Sequence, residues 1–262
     1  MNDYNKKKKI AIQAVLEAEK IIRNGFLKLN NISFKDKNEK DYVTNIDKEA
    51  EKVIISLIKK EFPNHNIISE EAGKDLKKSE YTWYIDPVDG TTNFVKRIPL
   101  STTCIALVKN NQTILSVVNV PMTKECYWAI KNQGAYRNNQ KITVGGKTEI
   151  EKSFACVEWW SRDEEHQKRG LEVFNIVAKK AKKIRYLSST AWDICHVASG
   201  ELDFHICDTT FLDLVAPKLI LEEAGGILTD ENNNNVTINN KNIIKIISSN
   251  KNLSKKIYTL IK

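Results

Sequence analysis

The stretch YTWYIDPVDGTTNF, residues 81–94, joins a short apolar run to two aspartates three residues apart, a glycine and two threonine hydroxyls. The run 81–85 predicts a buried strand, and Asp86 and Asp89 stand at its end. Gly90 allows a tight turn. The backbone N–H groups of Gly90-Thr91-Thr92, opening a turn or helix, suit a phosphate. A second apolar run, IISEE, ends in Glu70 and Glu71. Adjacent strand ends in a mixed sheet bring such groups to one crevice, where ligands bind. Carboxylates packed together repel, so their pKa values rise or they share cations. An oxygen-only donor set with no His or Cys nearby selects Mg²⁺ rather than zinc. Acids for a metal beside amides for a phosphate point to phosphate-ester chemistry.

The rest of the chain has the composition of an ordinary globular protein. Its 262 residues, 41% hydrophobic and 28% charged, can bury a sizeable core in one large domain or two joined halves. No apolar run reaches membrane-span length, and the lysine-rich start lacks a continuous h-region, which reads as a cytoplasmic protein with no membrane partner. A net charge of +8 invites nucleic acid as a partner. The lysines are scattered and not interleaved with aromatics, so the expectation is a solvated surface that steers small anions, with no nucleic acid bound. Cys104, Cys126, Cys156, Cys195 and Cys207 show no CxxC spacing and sit among apolar neighbours. They read as reduced core thiols, with neither a structural zinc nor a catalytic cysteine expected.

Periodicity predicts helices over 5–25 and 46–61, the second with Ile46, Ala50, Val53, Leu57 and Ile58 inward and Thr44-x-x-Asp47 as a capping box. Residues 31–43 between them read as a loop or exposed hairpin. Short apolar runs broken by Asn-Asn and Asn-Gln-Gly turns predict an antiparallel meander up to Gly145-Gly146, the best linker candidate. Beyond it strands and helices alternate: strand 153–158, helix 163–182, strand 184–187, helix 190–199, strand 202–206, helix 213–224, strands near 227 and 244 and a final helix. The division expected is an α+β half, 1–148, carrying most metal ligands, and an α/β half, 149–262, completing the site. The asparagine-rich DENNNNVTINN reads as a hairpin turn, because it lacks the central glycine of a calcium loop.

WYIDPVDGTTNF resembles the first signature of the inositol monophosphatase family, and YVTNID, IISEE and LDLVAPKLILEEAGG match that family in kind, order and spacing. The resemblance runs from the first helix almost to the end of the chain. It implies a layered αβαβα sandwich, of the type shared with fructose-1,6-bisphosphatases, usually dimeric, and a Mg²⁺-dependent, lithium-sensitive phosphatase of small polyol or sugar phosphates. Inositol-1-phosphate is the foremost substrate. Fructose-1,6-bisphosphate, phosphoadenosine phosphate and histidinol phosphate are the alternatives. Carried over residue by residue, Glu70, Asp86, Asp89, the Val88 carbonyl and Asp213 would hold the metal. Gly90 and Thr91 would cradle the phosphate. Thr91, Asp47 and Glu70 would form the catalytic group, Thr91 with Asp47 positioning the attacking water, and Glu71 would assist from outside. Lys35 or Lys37 would accompany a further, loosely held metal.

The departures fall on the substrate side. Leu212 precedes Asp213 where the family usually has Trp, and Pro217 falls within the expected first helical turn. Ser188 stands where the family often has Gly, ahead of Ser189 and Thr190, the expected phosphate-side contacts. Segment 203–213 is one residue shorter than in inositol-specific members, which leaves Asp208 as the nearest acid for a substrate hydroxyl. Trp192 and His196 read as core or rim residues. The non-enzyme alternative, a basic anion- or nucleic-acid-binding module, should have lost at least one of Glu70, Asp86, Asp89 and Asp213, and all four are present.

Overall fold

The computed structural model describes residues 2–28, 32–34, 42–159, 163–237 and 244–262. Helix α1 (Asn2–Leu27) repeats small and branched apolar residues at helical spacing, and Ala11, Ala14, Val15, Ala18 and Ile22 are fully buried along one face. Helix α2 (Asn45–Glu61) packs beside it with a ridge of Ile46, Ala50, Ile54 and Ile58. Val53 and Leu57, expected on that ridge, lie at its margin, because the four-residue repeat centres the buried face on Ile54. Two short strands, β1 (Ile32–Phe34) and β2 (Tyr42–Thr44), pair antiparallel between the helices. This agrees with the hairpin reading at its two ends.

Both helices cover one face of an eight-stranded sheet. Its strands are β3 (Asn66–Ser69), β4 (Gly73–Asp75), β5 (Tyr81–Asp89), β6 (Thr102–Lys109), β7 (Gln112–Val120), β8 (Glu125–Ile130), β9 (Ala135–Arg137) and β10 (Gln140–Ile142). The spatial order is β10-β9-β8-β7-β6-β5-β3-β4. From β5 to β10 it is the expected antiparallel meander, whose β6 and β7 are buried on both faces and so read as continuous apolar runs. Strand β3 instead lies parallel to β5, with Ser69 opposite Ile85. Parallel strands finish at the same edge, so Glu70 and Asp86 leave the sheet side by side. A one-turn helix α3 (Thr91–Val95) follows.

The second sheet draws on β11 (Phe154–Val157), β12 (Lys183–Arg185), β13 (Phe204–Thr209), β14 (Gly226–Asp230) and β15 (Ile244–Asn250), in the order β12-β11-β13-β15-β14. Helices α5 (Thr190–Ala198) and α6 (Phe211–Glu223) lie between the two sheets. Their core joins Ala106 and Val118 of the larger sheet to Cys156, Cys207 and Ile246 of the smaller. Helices α4 (Glu164–Lys180) and α7 (Lys251–Ile261) cover the outer face through Val173, Val177, Ile257 and Ile261. The five layers are therefore helix, sheet, helix, sheet, helix: the expected αβαβα sandwich. Among the described residues no helix is long and apolar enough to cross a membrane.

A further local expectation fails at α6. Helix α6 starts at Phe211, two residues earlier than expected, because Thr210 and Asp213 form its capping box. Pro217 is thus the seventh helical residue and lies outside the first turn. It cannot donate to the carbonyl of Asp213 and its ring crowds that group.

Candidate active site

Residues three apart on a regular strand point to opposite faces. Asp86 pairs with Cys104 and Asp89 with Thr102, so β5 uses three steps where β6 uses two. This bulge turns both carboxylates to one side. The Val88 amide donates to Asp86 Oδ1 at 3.0 Å, and the Pro87 carbonyl accepts from the Thr103 hydroxyl at 2.9 Å, which holds the bulge in place.

Asp89 is gripped from across the molecule. Its Oδ2 accepts from Thr102 Oγ1 (3.1 Å), Ser189 Oγ (2.7 Å) and the Ala191 amide (3.0 Å) at the start of α5. Asp213 Oδ2 accepts from the hydroxyls of Thr209 (3.0 Å) and Thr210 (2.9 Å) and from the Thr210 amide (3.2 Å). The described hydrogen bonds to both acids thus fall on one oxygen. Burial, together with the charges of Glu70, Asp89 and Asp213, pushes the Asp86 carboxyl well above its ordinary range. Burial and Asp213 carry Asp89 up to about 7, against the pull of Ser189, Ala191 and Thr102. Burial and Glu70 raise Asp213 as well. Glu70 itself is exposed, its amide bonded to the Ile85 carbonyl at 3.1 Å. The structure therefore brings Glu70, Asp86, Asp89 and Asp213 into one mutually repelling group. An oxygen-only set of this kind fits a hard dication.

Asp47 is fully buried and makes the capping box read from the sequence: its Oδ2 accepts from the Thr44 amide at 3.0 Å and from the Thr44 hydroxyl. Thr91 Oγ1 donates to the Val88 carbonyl at 2.9 Å. A hydroxyl has one proton, so in this geometry the expected donation from Thr91 to Asp47 is not made. Glu71 gives its amide to Glu51 Oε1 at 2.9 Å, beside the Ser69 hydroxyl. Lys35 and Lys37 lie outside the described residues.

Gly90 caps α3 with φ +80°. A Cβ there would meet the Leu100 carbonyl at 2.9 Å and Ser189 Cβ at 3.1 Å, so glycine is required both for its conformation and for the close approach. Ser188 keeps a left-handed backbone, φ +58°, without being glycine. Its amide and that of Leu187 both donate to Glu158 Oε1, and its carbonyl accepts from Asn93 Nδ2 at 3.2 Å. Left-handed geometry costs a Cβ-bearing residue about 1–2 kcal/mol. Ser188→Gly should therefore raise stability by about 0.5–1 kcal/mol once glycine's greater freedom in the unfolded chain is set against it. Urea denaturation would show this, and a loss of stability would mean that the serine makes an offsetting contact.

On the substrate side, Ser189, Thr190 and Asp208 each have a partner within the chain. Ser189 gives its hydroxyl proton to Asp89 and is fixed as a support of that acid. Thr190 Oγ1 lies 4.0 Å from Cys207 Sγ. Asp208 is buried on β13 and pairs with Lys245, Oδ1 to Nζ 3.4 Å, because the two residues face each other across the β13–β15 ladder. Removing one partner of a buried pair leaves the other uncompensated. Asp208→Ala should lower stability by about 3 kcal/mol, and an Asp208→Leu, Lys245→Met double variant should recover most of that loss. A changed KM with an unchanged melting temperature would instead make Asp208 a substrate contact. Sequence reasoning missed Asn93, whose Nδ2 also reaches the carbonyls of Leu100 (2.9 Å) and Leu187 (2.6 Å) and so ties the signature loop to the α5 turn. An amide inside the signature was the available signal. Trp192 and His196 stack on each other, ring centroids 3.4 Å apart, with His196 buried.

This arrangement, acids on a bulged strand of a five-layer sandwich completed from a helix between the sheets, defines a class. A family model described as the inositol monophosphatase family matches residues 3–262, and the chain belongs to that family. Among its relatives, "Nus factor SuhB" of Pasteurella multocida is 34% identical over 225 residues, covering 85% of this chain and 84% of its own. "Fructose-1,6-bisphosphatase/inositol-1-monophosphatase" of Aquifex aeolicus is 32% identical over 230 residues, covering 87% of each. Of solved structures, the extragenic suppressor protein suhB of Bartonella henselae superposes with a TM-score of 0.91 at 26% identity, over 97% of both chains. The inositol monophosphatase of Anabaena gives 0.86 at 27%, over 99% of this chain and 96% of its own.

Proposed function

We propose that the chain is a Mg²⁺-dependent phosphomonoesterase of small polyol or sugar phosphates, with inositol-1-phosphate as the foremost substrate. The observation that carries the reading is the group Glu70, Asp86, Asp89 and Asp213, whose buried members are held with raised pKa values by burial first and then by one another's charge. Such a group is poorly placed to meet a phosphate dianion unless cations stand between them. Glu70, Asp86, Asp89, Asp213 and the Val88 carbonyl would hold Mg²⁺. Bound there, Mg²⁺ supplies positive charge for the phosphate and leaving-group oxygens and lowers the pKa of water.

The chain's own residues supply positioning. The first-turn amides of α3, which precede its first intrahelical bond from the Phe94 amide to the Gly90 carbonyl (3.0 Å), are available for phosphate oxygens. Thr91 Oγ1, its proton held by Val88, would accept from an attacking water. Ser189, Ala191 and Thr102 keep Asp89 from turning away. Attack by water in line with the leaving oxygen needs no phosphoenzyme, and the aspartyl-phosphate route is disfavoured because both aspartates of the D-x-x-D pair belong to the cation group.

The test is phosphate release from a panel of inositol-1-phosphate, fructose-1,6-bisphosphate, phosphoadenosine phosphate and histidinol phosphate, with Mg²⁺ and with EDTA. Activity should require Mg²⁺, vanish in EDTA and fall with lithium. Turnover by metal-free protein would end the metal reading. Failure to turn over any ester at saturating Mg²⁺ would favour the binding-module alternative, which the names of the Nus factor relatives keep open.

A further inference from the structure

A second group of metal-ligating side chains lies beneath the α5 turn, apart from the oxygen-only acids. Cys156 of β11 and His205 of β13 are opposite one another in the parallel register. Glu158 follows the end of β11, and Asp193 sits on α5 above both strands. One ligand atom from each of the four lies within 4.8 Å of the others. Cys156, Asp193 and His205 are fully buried and the Glu158 side chain is 9% exposed.

The polar atoms of this group are poorly satisfied. Both carboxylate oxygens of Asp193 and both ring nitrogens of His205 are buried without a hydrogen-bond partner. Four such atoms at zero exposure in two adjacent residues are costly unless something takes their lone pairs. Two separations also exceed hydrogen-bond length: His205 Nε2 is 3.8 Å from Glu158 Oε2 and 3.8 Å from Asp193 Oδ2, while the Cys156 thiol donates a long hydrogen bond to Glu158 Oε1 at 3.7 Å. Metal–ligand bonds of about 2.0–2.3 Å in a tetrahedron place ligand atoms about 3.3–3.8 Å apart. The two separations from His205 Nε2 are close to that edge length.

We propose that Cys156, Glu158, Asp193 and His205 form a closed, four-coordinate site for a borderline-soft dication, Zn²⁺ foremost. Thiolate and imidazole in one set with two carboxylates disfavour Mg²⁺, which keeps to oxygen. Four protein ligands with no open position make the site structural. Its place gives it a task. Glu158 Oε1 holds the amides of Leu187 and Ser188, and the next residue, Ser189, holds Asp89. A cation on Glu158 Oε2 would anchor the left-handed Ser188 turn from below and so fix the wall of the crevice that α5 supplies. The inference does not depend on the phosphatase reading.

The full chain, produced in Zn²⁺-supplemented medium and dialysed against excess Mg²⁺ to clear the oxygen-only acids, should retain close to one zinc per chain by elemental analysis. X-ray absorption at the zinc edge should show one sulfur at about 2.3 Å with imidazole and carboxylate atoms at about 2.0–2.2 Å. Protein produced with Co²⁺ should show tetrahedral visible bands and a thiolate charge-transfer band, and Cys156→Ser should lose the latter. No retained zinc, an all-oxygen zinc shell, or a charge-transfer band that survives in Cys156→Ser would overturn the proposal and leave the four residues as a proton-sharing cluster. If Cys156→Ser does not fold, the absorption edge of the unaltered protein decides alone.

Discussion

Asp89→Asn should give a protein that no longer releases phosphate yet is more stable than the parent in EDTA. The two halves of this expectation come from the same crowding. The introduced amide can still accept from Thr102, Ser189 and Ala191 through its carbonyl oxygen, so the fold has no reason to move. What disappears is a carboxylate that burial and Asp213 raise from 3.8 to about 7. A raised carboxylate binds a proton in the folded state at pH values where the unfolded chain has released it. Stability therefore falls as pH rises through the window from about 4 to about 7, and the full penalty is present above it. A shift of this size corresponds to on the order of 4 kcal/mol as an upper bound, and a gain of about 1–3 kcal/mol at pH 8 is expected from the amide. Mg²⁺ should relieve the same repulsion in the parent, so added Mg²⁺ should raise the parent's melting temperature strongly and that of Asp89→Asn weakly. Catalysis should fall by about 10³-fold or more, because the amide supplies neither the charge nor the bridging that a phosphoryl-transfer site needs. Thermal melts at pH 5 and pH 8, with EDTA and with Mg²⁺, run beside phosphate release, check every arm. Near-normal turnover at saturating Mg²⁺ would reduce Asp89 to a turn residue.

Much of this site was legible because two of its acids, Asp86 and Asp89, stand three residues apart after a strand. DPVDG announces itself within five residues, and the strand before it explains its burial. The meander and the alternating second half follow from periodicity and turn residues, and together with the family signatures they point to the sandwich. What was not legible depends on register or on long separation. The bulge that turns Asp86 and Asp89 the same way is a mismatch between two strands, and no single strand encodes it. Ser189 reaches Asp89 across a hundred positions, so its hydroxyl looked free for a phosphate. The pairing of Asp208 with Lys245 was not legible, because Lys245 lies beyond two further elements. The grouping of Cys156, Glu158, Asp193 and His205 comes from three separate elements, so no CxxC spacing announces it. Pro217 falls outside the first turn for a simpler reason: the motif suggests Asp213 as the start of a helix that Thr210 already caps.

Thr91→Val should lower kcat by about 10²–10⁴, the usual worth of a positioned acid–base or orienting group, with much smaller changes in Mg²⁺ and substrate affinity. Valine keeps the shape and the backbone N–H and removes only the hydroxyl. In the structure that hydroxyl is anchored by its own proton on the Val88 carbonyl, which leaves its lone pairs to orient a water. Thr91→Ser should therefore retain most activity, since serine can make the same anchor. Asp47 Oδ2 accepts from the Thr44 amide and hydroxyl. If Asp47 acts on catalysis, it does so without receiving the Thr91 proton, so the Thr91→Val and Asp47→Asn losses in kcat should multiply in the double variant. The opposite result is equally informative. A double variant little slower than the worse single one would show two residues acting as a unit, and would mean that during turnover the Thr91 hydroxyl turns from Val88 to Asp47. A Thr91→Val enzyme with near-normal kcat would remove the hydroxyl from the reaction and leave Thr91 as the first residue of a helix that a phosphate meets through its backbone.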